Sequence, residues 1–132
     1  MKIHGIGIDI INISRIKKLL KNKLFLKRVY TSSEIKQCNK RKNKISCYAS
    51  RFAAKEAFTK ALGTGFRKGI KFNNIIISKN LMGRPSIKLS GESKNIVQKI
   101  LKKKYNSYLS ISDDLPYSIA IVVLTVWGIK NL

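Results

Sequence analysis

Arg51-Phe52-Ala53-Ala54-Lys55-Glu56-Ala57-Phe58-Thr59-Lys60-Ala61-Leu62-Gly63-Thr64-Gly65 reads as a helix up to its first glycine. Carried back to Ile45, the segment is apolar around most of its circumference. This predicts a central buried helix over 45–62, stopped by Gly63. At about 100° per residue, Glu56 falls between Ile45, Ala49 and Phe52, with Lys60 one turn further on. A carboxylate on a core-facing stripe needs a cation or hydrogen-bond donors to offset its desolvation. Lys60, a bound metal, or both would serve. An exposed i,i+4 pair by itself contributes only ~0.3–0.5 kcal/mol.

The rest of the chain surrounds this helix with positive charge. Its 132 residues suit one domain, residues 1–132. Lys plus Arg number 28 against 6 for Asp plus Glu, a net charge of +22 that favours anionic partners. Much of the excess is lysine, accompanied by isoleucine and asparagine as AT-rich codons would supply. The informative positions are therefore the acids Asp9, Glu34, Glu56, Glu92, Asp113 and Asp114. Of these, Asp9 and Glu56 have glycine-flanked or apolar settings. Cys38 and Cys47 have no second pair and no histidine cluster beside them, so reduced thiols and a cytoplasmic protein are expected. Asp9 and Asn12 interrupt the apolar amino terminus, no cleavage signal follows, and no run is long enough to span a membrane.

Alternation over residues 2–13 predicts a buried strand, with His4, Ile6, Ile8 and Ile10 on one face and Ile3, Gly5, Gly7, Asp9 and Ile11 on the other. Two glycines beside Asp9 leave room for a ligand or another backbone. A basic helix capped by Ser14 is expected to run to about Leu26, followed by a short helix over 32–39 with a Thr31/Glu34 capping box. Strands over 71–78 and 86–89 flank a turn at Gly83-Arg84-Pro85, and a basic amphipathic helix over 92–104 follows. A hairpin of 108–112 and 117–127 closes the chain. Mixed helices packed on an antiparallel sheet make the expected fold class α+β.

Asp9 and Glu56 form the leading candidate site. Two carboxylates suit Mg²⁺, a hard cation that prefers oxygen and shares its shell with phosphates. Lys60 lies one turn from Glu56. Gly63-Thr64-Gly65 offers either backbone N–H groups to a phosphate or a plain helix cap. Gly5-x-Gly7 is not a dinucleotide fingerprint, because the third glycine would fall on Ile10 and no phosphate-binding helix begins there. His4, on an apolar strand face, reads as packed. No histidine-assisted nucleophile is evident. The competing reading is a basic nucleic-acid-binding module, although no zinc, RNP-like or helix-turn-helix pattern supports one.

Gly5-Ile6-Gly7-Ile8-Asp9-Ile10-Ile11-Asn12-Ile13-Ser14-Arg15-Ile16, taken with Arg51 to Ala57, Lys60 and Gly63-Thr64-Gly65, resembles the holo-acyl-carrier-protein synthases, small bacterial phosphopantetheinyl transferases. The likeness runs through the Gly83-Arg84-Pro85 turn and the closing hairpin. It implies a 4′-phosphopantetheinyl transferase-like fold. The implied reaction is transfer of 4′-phosphopantetheine from coenzyme A to a serine of apo acyl carrier protein, in support of fatty acid biosynthesis.

By the same resemblance, Asp9 and Glu56 hold Mg²⁺, and Glu56 and Lys60 act in catalysis. Lys60, Gly63, Gly65, Arg84, Pro85 and Tyr108 line the coenzyme A site. Arg15, Lys18 and Arg28 face the carrier protein. A homotrimer with coenzyme A in its intersubunit clefts is implied, with no specific nucleic acid and no membrane partner. One position departs from the pattern: Tyr108 stands where many members carry histidine. A phenol of ordinary pKa ~10 is a poor neutral-pH base, so Tyr108 is expected as a ligand contact.

Overall fold

The computed structural model describes residues 1–128. Alternation at the amino terminus produces strand β1, Lys2–Asn12. Asn12, rather than Ser14, then caps helix α1, Ile13–Leu19, its side-chain oxygen accepting from the Ser14 N–H at 3.0 Å. The single helix expected to Leu26 is two. Asn22 accepts from the N–H groups of Leu24 and Phe25 and starts a new helix, α2, Lys23–Val29. An asparagine that captures two amides competes with continued helix at its own position. Helix α3, Ser32–Asn39, has the expected Thr31/Glu34 capping box.

Helix α4, Lys44–Leu62, is the central element and ends at Gly63 in the left-handed conformation. A 3₁₀ turn, Phe72–Asn74, occupies the first part of the strand expected from residue 71, which leaves β2 as Ile75–Lys79. Strand β3, Pro85–Leu89, pairs with it. Helix α5, Gly91–Leu101, and the hairpin of β4, Tyr105–Asp114, and β5, Tyr117–Val126, complete the described chain. Residues 129–132 lie outside it, and the expected single domain over 1–132 is described to residue 128.

The architecture is α+β, as expected, with an antiparallel sheet in the order β1-β5-β4 and a separate β2-β3 ribbon. Helix α4 crosses one face of the larger sheet so closely that side chains would obstruct it. A Cβ on Gly5 or Gly7 would collide with the carbonyl oxygens of Ala61 and Ala57. The room made by those glycines is therefore filled by the α4 backbone. The other face carries Ile6, Ile8 and Ile10, each 58–59% exposed. Burial of both faces of β1, as the strand pattern suggested, is thus not found within one chain. A bulge at His4 shifts the pairing between Ile3 and Gly5. His4 is exposed rather than packed, and its Nε2 lies 3.2 Å from the Leu62 carbonyl.

Two packing features escaped the sequence reading. Phe25, Phe52, Phe72 and Phe66 form a chain of rings from α2 across α4 to the 3₁₀ turn, with centroids 6.0, 5.3 and 3.7 Å apart. Such pairs add about 0.5–1.5 kcal/mol each beyond their buried area. Cys38 and Cys47, expected as reduced thiols, are joined in a disulfide with a Cα separation of 5.4 Å. The chain reverses between α3 and α4, which brings together two sulfurs that spacing alone leaves unrelated.

Candidate active site

Asp9 reaches the α4 side of the sheet because alternation places it on the same face as Gly5, Gly7 and Ile11. Glu56 rises from α4, three residues after Ala53 and one before Ala57, where the helix lies against β1. Both carboxylates are half-buried. Burial raises the Glu56 carboxyl above its ordinary value of 4.5 and the Asp9 charge raises it further, while Lys60 and Arg15 oppose the rise. Burial likewise raises Asp9 above 3.8, against the hydrogen bond from Lys60 and the charges of Lys60 and Arg15. The two acids are thus electrostatic neighbours, and burial disfavours the charged form of each.

Lys60 answers the question left open by its i,i+4 spacing. Its Nζ donates to Asp9 Oδ1 at 3.2 Å and to the Ile8 carbonyl at 3.0 Å, crossing from helix to strand rather than bonding Glu56. The Lys60 side chain is 52% exposed, so it remains open to an anion. The donor set offered to a metal is two carboxylates, and no third acidic, histidine or cysteine side chain joins them among the described residues. All-oxygen ligation with room left over fits Mg²⁺, which retains waters and binds substrate phosphates. Two like charges at one place, each pushed toward protonation by burial, suit a divalent cation.

The Gly63-Thr64-Gly65 loop is a helix cap. Its three N–H groups converge on the Thr59 carbonyl at 3.0, 3.2 and 3.2 Å, so they are engaged rather than offered to a phosphate. Gly63 and Gly65 have φ of +96° and +60° and face open space, which leaves the loop surface approachable. Arg84 and Pro85 sit at the β2–β3 turn, where the Arg84 N–H donates to Asn80 Oδ1 at 2.9 Å. No hydrogen bond connects either residue to Asp9, Glu56 or Lys60 among the described residues.

Tyr108 pairs with Val123, which pairs with Ile6, placing it on the outward face of the sheet. Asp9 pairs with Ala120 on the opposite face, so one chain does not bring Tyr108 to the carboxylates. Arg15 and Lys18 are exposed on α1, and Arg15 is close enough to be felt by both acids. Arg28 is on the separate helix α2, at a cavity of about 430 Å³ shared with Phe66, Ile70 and Phe72.

Sequence reasoning passed over Lys55 and Glu34. Both side chains are fully buried, and Lys55 Nζ donates to Glu34 Oε1 at 2.7 Å. The capping box was legible, but the second task of Glu34 depends on a residue 21 positions away. Next to Glu56 in the chain, Lys55 faces the other side of α4 and anchors it there.

Residues 5–121 match the family model described as the 4′-phosphopantetheinyl transferase superfamily, and the chain belongs to that superfamily. Relatives in it include the holo-[acyl-carrier-protein] synthase of Pelagibacter ubique (strain HTCC1062), 50% identical over 125 residues, which are 94% of this chain and 98% of that one. The crystal structure of the holo-[acyl-carrier-protein] synthase from Neisseria meningitidis is similar with a TM-score of 0.82 at 34% identity, covering 93% of this chain and 98% of that one. That of Helicobacter pylori, in complex with coenzyme A, is similar with a TM-score of 0.77 at 39% identity, over 91% and 99% of the chains. The nucleic-acid-binding alternative finds no support in these relationships.

Proposed function

We propose that this protein is a Mg²⁺-dependent holo-[acyl-carrier-protein] synthase, transferring 4′-phosphopantetheine from coenzyme A to a serine hydroxyl of apo acyl carrier protein. The observation that carries the reading is the Asp9–Glu56 carboxylate pair, with Lys60 bonded to Asp9, in a chain of this superfamily. Mg²⁺ held by Asp9 and Glu56 would supply charge neutralisation and polarise the pyrophosphate. The serine oxygen attacks the pantetheine-bearing phosphorus. The bond from that phosphorus to the bridging oxygen breaks, and adenosine 3′,5′-bisphosphate leaves with the oxygen. Lys60 counters charge on the phosphate oxygens, and either Glu56 or a water held at the carboxylates takes the serine proton. Such a transfer relies mainly on positioning and electrostatics.

The outward isoleucine face supports a homotrimer. Ile6, Ile8 and Ile10, beside Tyr108, Tyr117 and Ile121, form an apolar surface of the kind that marks association. Packing between copies would cover it and carry Tyr108, Arg84 and Pro85 of one copy toward Asp9 and Glu56 of the next. Arg15, Lys18 and Arg28 form the basic side that receives an acidic carrier helix. The protein acts in fatty acid biosynthesis in the cytoplasm. No described helix is long and apolar enough to cross a membrane.

The deciding experiment incubates the protein with coenzyme A, Mg²⁺ and an apo acyl carrier protein and weighs the carrier. A phosphopantetheine adduct that disappears on chelation is expected. A carrier of unchanged mass refutes the activity, and an adduct insensitive to chelation refutes the metal.

A further inference from the structure

Both cysteines of the disulfide are buried, Cys38 at 0% and Cys47 at 7% exposure, but their surroundings differ. Cys38 lies in the last turn of α3, whereas Cys47 lines a cavity of about 320 Å³. Around that cavity stand Arg41, Lys42, Arg51 and Lys79, with Asp113 the one carboxylate in its lining. Burial and the charges of Arg41 and Arg51 lower the proton affinity of Lys79, the mark of an electropositive enclosure. Arg51 ties the cavity to the sulfurs. Its Nη1 donates to Cys47 Sγ at 3.0 Å and its Nη2 to Gln37 Oε1 at 3.1 Å, so one guanidinium spans α4 and α3 at the bridge. Among the described residues the Arg51 Nε has no partner. A Cα separation of 5.4 Å lies within the range of about 4.4–6.8 Å that closes without backbone movement.

We propose that Cys38 and Cys47 are a reversible redox site, opened at Cys47 by an anionic low-molecular-weight thiol that enters this basic cavity. The incoming thiolate, RS⁻, attacks Cys47 Sγ. The bond between the cysteines breaks, RS–S–Cys47 forms, and Cys38 leaves as a thiolate that takes up a proton. A second RS⁻ attacks the R-bearing sulfur, releasing Cys47 and RSSR. In total, two RSH and one protein disulfide become two protein thiols and RSSR, with two electrons passed to the protein. The reverse reaction uses RSSR as oxidant. Arg51, in contact with Cys47 Sγ, stabilises the Cys47 thiolate released in the second exchange. Reduction removes the covalent tie between α3 and α4, leaving Arg51 and Gln37 as the polar link at that point.

The test equilibrates the intact protein in glutathione buffers from fully reduced to fully oxidised, quenches with acid, alkylates, and determines mass and modified peptides. The expected result is a single two-electron transition from two alkylated cysteines to none. A glutathione adduct should be trapped on Cys47 in the Cys38→Ser variant. The melting temperature of the native chain should fall by about 5–10 °C on reduction. Two alkylated cysteines at every buffer ratio would overturn the proposal. So would a bridge that survives every excess of reduced glutathione in the folded protein, or an adduct on Cys38 in the Cys47→Ser variant with none on Cys47 in Cys38→Ser.

Discussion

Replacing Lys55 by Met tests how α4 is held in place. The Lys55 Nζ donates to the Val29 carbonyl at 2.6 Å, to Glu34 Oε1 at 2.7 Å and to the Phe72 carbonyl at 3.0 Å. Glu34 in turn accepts from the Thr31 and Ile77 N–H groups, each at 2.9 Å. One ammonium therefore joins α4 to the end of α2, to α3, to the 3₁₀ turn and, through Glu34, to β2. The attraction itself does not set the magnitude, because desolvating both ions opposes it. Burial is the main influence lowering the proton affinity of Lys55, and Glu34 acts against it. What matters is what remains: a buried carboxylate and two buried carbonyls without their donor. Breaking a buried pair in this way costs ~3–5 kcal/mol. A chain of this length has a total stability of about 7–20 kcal/mol, so Lys55→Met should stay folded but weakened. With a urea m-value of about 2 kcal/mol/M, a loss of 4 kcal/mol moves the midpoint down by about 2 M. Equilibrium unfolding followed by circular dichroism measures this. A loss below about 1 kcal/mol at unchanged m would refute the reasoning. The double variant Lys55→Met/Glu34→Gln should recover part of the loss, because it removes the orphaned charge while keeping an acceptor for a backbone N–H.

Other consequences can be checked as directly. Glu56→Gln should abolish Mg²⁺-dependent transfer, read from carrier mass, while leaving the circular dichroism spectrum unchanged; near-normal turnover counts against the assignment. The carboxyls of Asp9 and Glu56 are raised in the folded state, so they stabilise it below their ordinary values and lose that contribution as pH rises through the raised ones. Metal-free protein should lose stability across that interval, and Asp9→Asn should both flatten the dependence and lower the Glu56 titration seen by NMR. Gly7→Ala should cost ~3 kcal/mol through collision with the Ala57 carbonyl, measured as a lowered urea midpoint. Ile6→Lys should yield monomers by sedimentation with the fold intact and transfer lost; an active monomer would refute the intersubunit site.

Several local signals were read correctly, though the cap of α1 fell on Asn12 rather than Ser14. The Thr31/Glu34 box, the Gly63 stop and the α4 pattern each depend on residues within about a turn of one another. The α1/α2 division shows where such rules compete: an apolar stripe continued past Leu20, but the Asn22 side chain accepts from the Leu24 and Phe25 N–H groups and starts a new helix. At the site, strand alternation and helix periodicity selected Asp9 and Glu56 as separate anomalies. Family resemblance paired them, and the contact between β1 and α4 brings them together. Lys60 was placed beside Glu56 by spacing, yet it bonds Asp9 because the nearest carboxylate in space is on another element.

By itself the sequence determined the order of elements, the class of fold and which acids stand out against a basic composition, because periodicity and capping are short-range. Only the tertiary structure decided that Gly5 and Gly7 admit the α4 backbone, that Lys55 is bound to Glu34, that Cys38 meets Cys47, and that Tyr108 faces away from Asp9. Each of these depends on which surfaces meet after the chain reverses. Burial and charge pairing at such contacts are properties of the packed whole, not of any one segment.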